Sequence, residues 1–294
     1  MTRGEKRQLA LGLGFVSPWI LGFLLFTLYP VAASIFFSFC DYDVLSKPVW
    51  VGWLNYRDMF TDSVFWKSLT NTLYYAAFAL PMGMVMSFLV AVLLNQPVRG
   101  RSTFRAIFFL PSLIPVVASS MIWLWILNGN FGLLNQALDK IGIRGPQWLA
   151  DPNWTKPSLI LMSLWGIGHT VVIYLAALQD VPRSLYEAAE IDGATAAARL
   201  WHITIPMISP VIYFNLIMGI IGSLQVFAQA YIMLGGGGPE RSALFYAVYL
   251  YQNAFEYRQM GYACAMAWVM FMIILFLTWL ATRSTRRLIF YAGE

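Results

Sequence analysis

Six long apolar runs, separated by polar segments, organise this chain. They fall at about residues 10–37, 70–94, 106–127, 157–178, 207–234 and 261–282. Crossing about 30 Å of hydrocarbon takes roughly 20 helical residues, and every run meets that length. Lipid offers no partner to backbone N–H and C=O groups, so each run predicts a helix. Pro18, Pro30, Pro81, Pro111, Pro115 and Pro210 lie in or near the runs. They predict kinks, since a helix in a bundle tolerates proline. The first run follows Arg3, Lys6 and Arg7, like the basic start of a signal peptide. Its apolar stretch is too long for a cleaved signal and reads as an uncleaved first span.

Among the polar segments, 179–206 has the sharpest pattern. It holds Glu187-Ala188-Ala189, three residues, Gly193, nine residues, then Ile203-Thr204-Ile205-Pro206. Ser184-x-x-Glu187 matches a capping box and predicts a helix opening at Ser184. Gly193 can end or bend that helix. Ala194 to His202 reads as a second short helix, and Pro206 suits the first turn of the next long one. The expected product is a helix–turn–helix knuckle projecting from a membrane. Taken alone, Glu187-Ala188-Ala189 could be an ordinary exposed helical turn, because Ala and Glu are good helix formers. The spacing to Gly193 and Pro206 argues against that.

The other segments differ in character. Residues 38–69 mix Asp41, Asp43, Trp50, Trp53, Asn55 and Tyr56, as at a membrane interface. Residues 128–156 carry the turn signals Asn128-Gly129, Gly142, Gly145-Pro146 and Asp151-Pro152. Gly235 to Pro239 makes a third break, and Leu244–Phe255 is apolar but too short to span. That last stretch reads as an interfacial or re-entrant helix against the bundle. No internal repeat, low-complexity tail or soluble domain is visible. Residues 1–294 read as one membrane domain with all-α architecture.

Composition agrees with the pattern. Apolar residues make up 59% of the 294 and charged ones 11%, with mean hydropathy +0.64. A soluble domain carries about a quarter charged residues. The basic residues are unevenly placed. Arg3, Lys6, Arg7, Arg99, Arg101, Arg105, Arg183, Arg199, Arg283, Arg286 and Arg287 crowd the termini and the two shorter connections at 95–105 and 179–206, eleven of the 19 in all. Such a bias marks the cytoplasmic side, so both termini and the Glu187 segment are expected inside. The net charge of +5 then reflects topology. No basic stripe with interleaved aromatics points to nucleic acid.

Several chemistries find no support. No Gly-x4-Gly-Lys-Ser/Thr phosphate loop occurs, and the tetraglycine runs into Pro239-Glu240-Arg241. No Cys/His set has metal spacing, so no metal or cofactor is expected in this chain. Cys40 and Cys264 could sit near the outer ends of spans, but two packed thiols are favoured over a disulfide. Polar groups within the apolar runs are the remaining candidates. His169 either marks a pathway or is a neutral imidazole bonded to a neighbouring carbonyl. Gly166 and Gly168 could form a cavity wall or close helix packing. Gly222, Ser223, Gln225 and Gln229 lie in the fifth run, where Gly222, Val226 and Gln229 would share a helical face. The glutamines need partners, either a solute hydroxyl or a neighbouring helix. Phe227 and Tyr231 could stack on a sugar ring or face lipid.

The Glu187–Pro206 pattern resembles the coupling loop of ABC importer permeases, departing from it at Ile205, where that family has Leu. Asn71-Thr72-Leu73, Leu94-Asn95, Phe104-Arg105, Phe108-Phe109-Leu110-Pro111, Gly132-x-x-Asn135, Trp148-Leu149, Trp165-x-x-Gly168 and Leu175-Ala176-Ala177-Leu178-Gln179 are similar to the carbohydrate branch. Gly236-Gly237-Gly238-Pro239 and Tyr251-x-x-Ala254-Phe255 resemble its maltose-type first subunit. The resemblance covers about residues 10–285. It implies a six-span type I permease bundle in a bacterial or archaeal cytoplasmic membrane, moving a sugar, polyol or oligosaccharide by alternating access. It also implies a second permease, a pair of cytoplasmic ATPase subunits holding ATP and Mg, and an extracytoplasmic solute-binding protein. Coupling is expected at Glu187, Ala188, Ala189, Asp192, Gly193, Ile203 and Pro206. The pathway is expected along Gly166, His169, Gly222, Ser223, Gln225 and Gln229. A glycerol-phosphate importer is the alternative within the family. An ion-coupled transporter would need carboxylates at mid-membrane depth, and none lies within the six runs.

Overall fold

The computed structural model describes residues 2–97 and 99–285. Arg286 and Arg287, part of the expected basic C-terminus, lie outside these residues. The chain divides into two compact units, Met1–Asp62 with Leu250–Phe271, and Ser63–Tyr249 with Met272–Glu294.

In the first unit, α1 (Arg3–Phe23) passes through a wide turn at Leu24–Leu28 into α2 (Tyr29–Ser38). Within the apolar stretch Leu11–Ser38 only Ser38, at its end, is buried within this chain. A two-residue ladder follows, β1 (Cys40–Asp41) antiparallel to β2 (Val49–Trp50), with Cys40 opposite Trp50. α3 (Leu54–Thr61) closes on it. Asn55 donates its amide to the Ser38 and Cys40 carbonyls, both at 2.9 Å. This bonds α3 to the end of α2. Trp50 and Trp53 pack on the Phe39 ring. Both cysteines are free thiols.

The second unit holds most of the bundle. α4 (Ser63–Asn95) is its central helix and runs through Pro81 unbroken. After it come α5 (Arg101–Phe109), a tight turn at Leu110–Leu113 and α6 (Val116–Ile126). α5 and α6 bend by 101° where Pro111 and Pro115 bracket the break. α7 (Leu133–Asp139) precedes α8 (Pro152–Trp165), which opens on Asp151 accepting from the Asn153 N–H. α8 therefore starts earlier than the hydropathy at 157 suggests. It meets α9 (Gly168–Asp180) at a 47° bend.

α10 (Arg183–Ile191) and α11 (Ala196–Arg199) form the knuckle, followed by a wide turn at Leu200–Thr204 and α12 (Ile205–Met207). The fifth span is α13 (Ser209–Leu224) and α14 (Ala228–Leu234), interrupted at 225–227. α15 (Tyr246–Tyr251) and α16 (Met260–Thr285) each reach into both units. Among the described residues four helical stretches are long and apolar enough to cross a membrane by themselves, and up to six if each bent pair counts as one span.

Two apolar clusters hold this unit. One gathers Tyr75, Leu127, Leu159, Val226, Phe245 and Val248, among others. Ala243 to Tyr246 are buried within the chain, so the start of the 244–255 stretch packs into protein. The turn before it is tied down by polar groups. Asn71 donates to the Arg241 and Leu244 carbonyls, and its own oxygen accepts from Lys156. Lys156 also donates to the Ser242 carbonyl, and Thr72 accepts from the Tyr246 N–H. These bonds hold Glu240 and Arg241 at φ 51° and 56°, a conformation side chains disfavour. The second cluster packs Val90, Leu94, Val171, Tyr174, Leu178 and Ile208 at the other end of α4.

Candidate functional site

The knuckle is built from local rules. Pro182, extended at ψ 128°, precedes α10 and prevents the helix from continuing α9. The expected capping box at Ser184 does not form. α10 begins at Arg183 with no side-chain cap, because Pro182 sets the start one residue earlier. The far end follows the pattern closely. Gly193 sits at φ +75°, its N–H bonds the Glu190 carbonyl, and the Ala194 N–H bonds the Ala189 carbonyl. These are the two bonds of a Schellman cap, which requires the left-handed residue glycine accepts most easily. Thr195 then caps α11 through its hydroxyl.

The two short helices are fastened to each other. Glu190 pairs with Arg199, and the Tyr186 hydroxyl meets the Thr204 hydroxyl at 2.9 Å. Tyr186, Ile203 and Met207 pack against the apolar cluster at the end of α4. Glu187, Ala188, Ile191 and Asp192 point away and are exposed, while Ala189 is half-buried. Ile191 is 88% exposed, a large apolar side chain with no cover in this chain. Pro206 does not open the long helix as expected. It belongs to the short α12, and Pro210 opens α13, because Ile208 leaves the helical line between them. A hollow of about 540 Å³ lies behind the knuckle, lined by Asn95, Tyr186, Glu190, Arg199 and Thr204.

A second site lies within the spans. A cavity of about 660 Å³ is walled by α4, α8, α9, α13 and α14. Its polar lining comes from Tyr75, Ser87, Ser163, Thr170, Asn215, Ser223, Gln225 and Gln229, and no charged side chain among the described residues contributes. Helix breaks make it. At 225–227 the backbone leaves the helix, with Phe227 at φ −136° and ψ −66°. The shared helical face expected for Gly222, Val226 and Gln229 is thus broken, yet all three line the cavity. The side chains of Gln225 and Gln229 have no hydrogen-bond partner among the described residues. Phe227 and Tyr231 stack on each other, with ring centroids 5.3 Å apart.

The two glycines near the α8–α9 bend divide the roles weighed for them. Gly166 faces the cavity. Gly168 is a close approach, since a Cβ there would lie 2.7 Å from the Phe108 carbonyl oxygen. His169 lines a smaller hollow of about 260 Å³ with Ser112, Ser119 and Gln229. It lies against the Phe109 ring and makes no hydrogen bond to a carbonyl among the described residues. Tyr75, Ser163, Gly166, Val226 and Gln229 line both hollows, so the two adjoin. Sequence reasoning missed Tyr75, Ser87, Ser163, Thr170 and Asn215 in the lining. Asn215, a polar residue in the fifth apolar run, was the available signal.

Bent apolar helices around an uncharged polar cavity, with an exposed helical knuckle at one end, define a membrane transport subunit. The family described as binding-protein-dependent transport system inner membrane component matches residues 59–290, and the chain belongs to it. The chain is 40% identical to the probable ABC transporter permease protein YesP of Bacillus subtilis, covering all of this chain and 96% of that one. It is 35% identical to the lactose transport system permease protein LacF of Rhizobium radiobacter, over 92% and 93% of the two chains. A chain of the bacterial alginate ABC transporter, solved with an alginate pentasaccharide-bound periplasmic protein, superposes with a TM-score of 0.86. That match covers 97% of this chain and 96% of the other at 25% identity. The protein is a multi-pass inner-membrane permease of the type I importer fold, and a transport subunit rather than an enzyme.

Proposed function

We propose that this chain is a permease subunit of an importer for sugars or oligosaccharides, driven by ATP hydrolysis in partner subunits. The observation that carries the reading is the cavity of about 660 Å³ with hydroxyl and amide groups and no charge. Its volume lies within the usual range of small-molecule sites, about 300–1,000 Å³. Uncharged polar walls suit an uncharged polar solute, because they offer hydrogen bonds without burying charge. The absence of lining Arg or Lys disfavours a glycerol-phosphate. Relatives named for lactose and arabinooligosaccharides support the same class.

In this reading, α10 docks on an ATPase subunit through Glu187, Ala188, Ile191 and Asp192. Gly193 and the Glu190–Arg199 pair hold it as a lever. Closure of the ATPases around ATP and Mg moves the knuckle, and α9 and α13 carry the motion to the cavity in an alternating-access cycle. A second permease completes the pathway and an extracytoplasmic binding protein delivers solute. Both termini and residues 179–206 face the cytoplasm.

Reconstitution tests the assignment. With a second permease, an ATPase pair and a binding protein, vesicles should show ATP-dependent uptake of a neutral saccharide. The single chain should show neither ATPase activity nor uptake, and uptake by it alone would refute the reading. Ser184→Cys should resist impermeant thiol reagents in intact cells, whereas Asp139→Cys should react. The reverse pattern would overturn the topology.

A further inference from the structure

The short helix α5 carries two arginines on one side and exposed apolar side chains beside them. Arg101 donates through Nε to the Leu94 carbonyl at 2.7 Å and through its other nitrogen to the Asn95 oxygen at 3.4 Å. This closes the end of α4. The Gln179 amide oxygen accepts from Arg101 at 3.1 Å and from Arg105 at 2.7 Å. That orientation is the one that keeps the Gln179 NH2 away from two guanidinium groups. Arg105 Nε is shut from solvent and has no hydrogen-bond partner. No carboxylate pairs with either arginine among the described residues, and Asp180, next to Gln179, stays exposed. Two guanidinium groups therefore converge on one neutral oxygen. Such a site is short of an anion.

The rest of α5 says which anion. Phe104, Ile107 and Phe108 are exposed on the same helix, and Leu110 follows them. Phe104 and Phe108 are one turn apart, as are Arg101 and Arg105. α5 leaves α6 at 101°, so the two do not form one straight spanning rod. Arg101, Phe104, Arg105 and Phe108 recur at the spacing of one helical face, and a face that sets basic beside exposed aromatic side chains suits the membrane interface, where it attracts anionic lipid.

We propose that α5 binds an anionic phospholipid of the inner leaflet. Its phosphate is received by Arg105 and Arg101, and its acyl chains lie along Phe104 and Phe108. Arg105 is partly exposed, so a small turn of its guanidinium presents Nε and Nη as a fork to the phosphate oxygens. Gln179 stands just before Pro182 and α10, which places the headgroup at the root of the knuckle. The proposal rests on the cytoplasmic placement of residues 95–105 given above.

The test uses the assembled transporter in phosphatidylcholine vesicles with spin-labelled phosphatidylglycerol. Association of the label is read without substrate or ATP, so its failure is separate from failure of the importer reading. The wild type should prefer phosphatidylglycerol over labelled phosphatidylcholine. Arg105→Gln should cut that preference about fivefold, the worth of one basic residue at an anionic surface. Arg105→Lys should retain part of it, having charge without the fork. Gln179→Glu, which supplies the missing carboxylate from within, should remove it while keeping the local packing. Arg144→Gln, far along the chain and of equal charge, should leave it unchanged. An undiminished preference in both Arg105→Gln and Gln179→Glu would overturn the proposal. Displacement of the label by inorganic phosphate as readily as by unlabelled phosphatidylglycerol would make this a soluble-anion site and overturn it as well.

Discussion

The knuckle and the cavity are held together in opposite ways. Residues 182–207 are fastened by bonds between near neighbours: the Schellman cap at Gly193, the Thr195 cap, the Glu190–Arg199 pair and the Tyr186–Thr204 contact. The cavity is walled by residues from five helices, and its lining hydroxyls mostly bond back to their own helix. Ser87, Ser163 and Ser223 each donate to a carbonyl within one turn. The first region is internally stapled and would move as one body. The second is bounded by helix breaks at 166–167 and 225–227 and has few cross-links to resist a change of shape. A stiff element joined to a yielding one is what a lever and its load require.

The largest expected effect comes from breaking the stiffness. Gly193→Val forces a β-branched residue to φ +75°, costing about 1–2 kcal/mol before the lost cap bonds are counted. Spans should insert at normal levels while ATP-driven uptake falls at least about tenfold, since small misplacements of a working geometry are amplified. Gly193→Asn, tolerated in the left-handed region, should keep most uptake. Equal uptake in the two variants would remove the rigid-lever half of the comparison.

Next is the cavity wall. A Cβ at Gly219 would lie within van der Waals overlap of the Leu80 side chain, whereas one at Gly222 meets nothing within 4 Å. Gly219→Leu should lower thermal stability by an overpacking cost of about 1–3 kcal/mol. Gly222→Leu should fold normally and reduce uptake by filling the cavity. Gly219 and Leu80 line the same cavity, so uptake can fall in both variants; melting curves separate the pair, and full uptake in Gly222→Leu would contradict the cavity assignment. A smaller change is expected from Gln229→Leu. Losing one hydrogen bond to solute, about 1 kcal/mol, should raise the KM for uptake several-fold with little effect on membrane levels. The smallest belongs to Glu190→Gln. The carboxylate is 63% exposed, and exposed ion pairs contribute about 0–1 kcal/mol. Uptake should change no more than about twofold. A tenfold loss there would mean that Glu190 contacts a partner rather than Arg199 alone.

What could be read from the sequence followed the same division. The knuckle was legible because its determinants are local. Gly193 and its spacing are sufficient to place the turn, and only the two ends were misplaced, where Pro182 overrode the Ser184 pattern and Ile208 left Pro206 in the short α12. The spans were legible as apolar runs, and Pro111 and Pro115 announced the sharpest bend. The interruption at 225–227 was not, because Gln225, Val226 and Phe227 contain no proline or glycine and the apolar periodicity runs through them. The cavity lining was half legible. Gln225 and Gln229 stand out as polar residues in hydrocarbon, but Tyr75 and Ser87 join them only through packing between α4 and α13.

The turn at 235–246 carries a consequence for descent and for engineering. Asn71, Thr72, Lys156 and the carbonyls of Arg241, Ser242 and Leu244 form one hydrogen-bonded knot, although 170 residues separate Asn71 from Arg241. Each polar member is satisfied by another, so changing one strands its neighbours at about 1–3 kcal/mol per buried group. The turn is therefore not an independent cassette. A graft of it from a relative would have to bring compatible residues at positions 71 and 156, and substitutions at those distant positions would be inherited together.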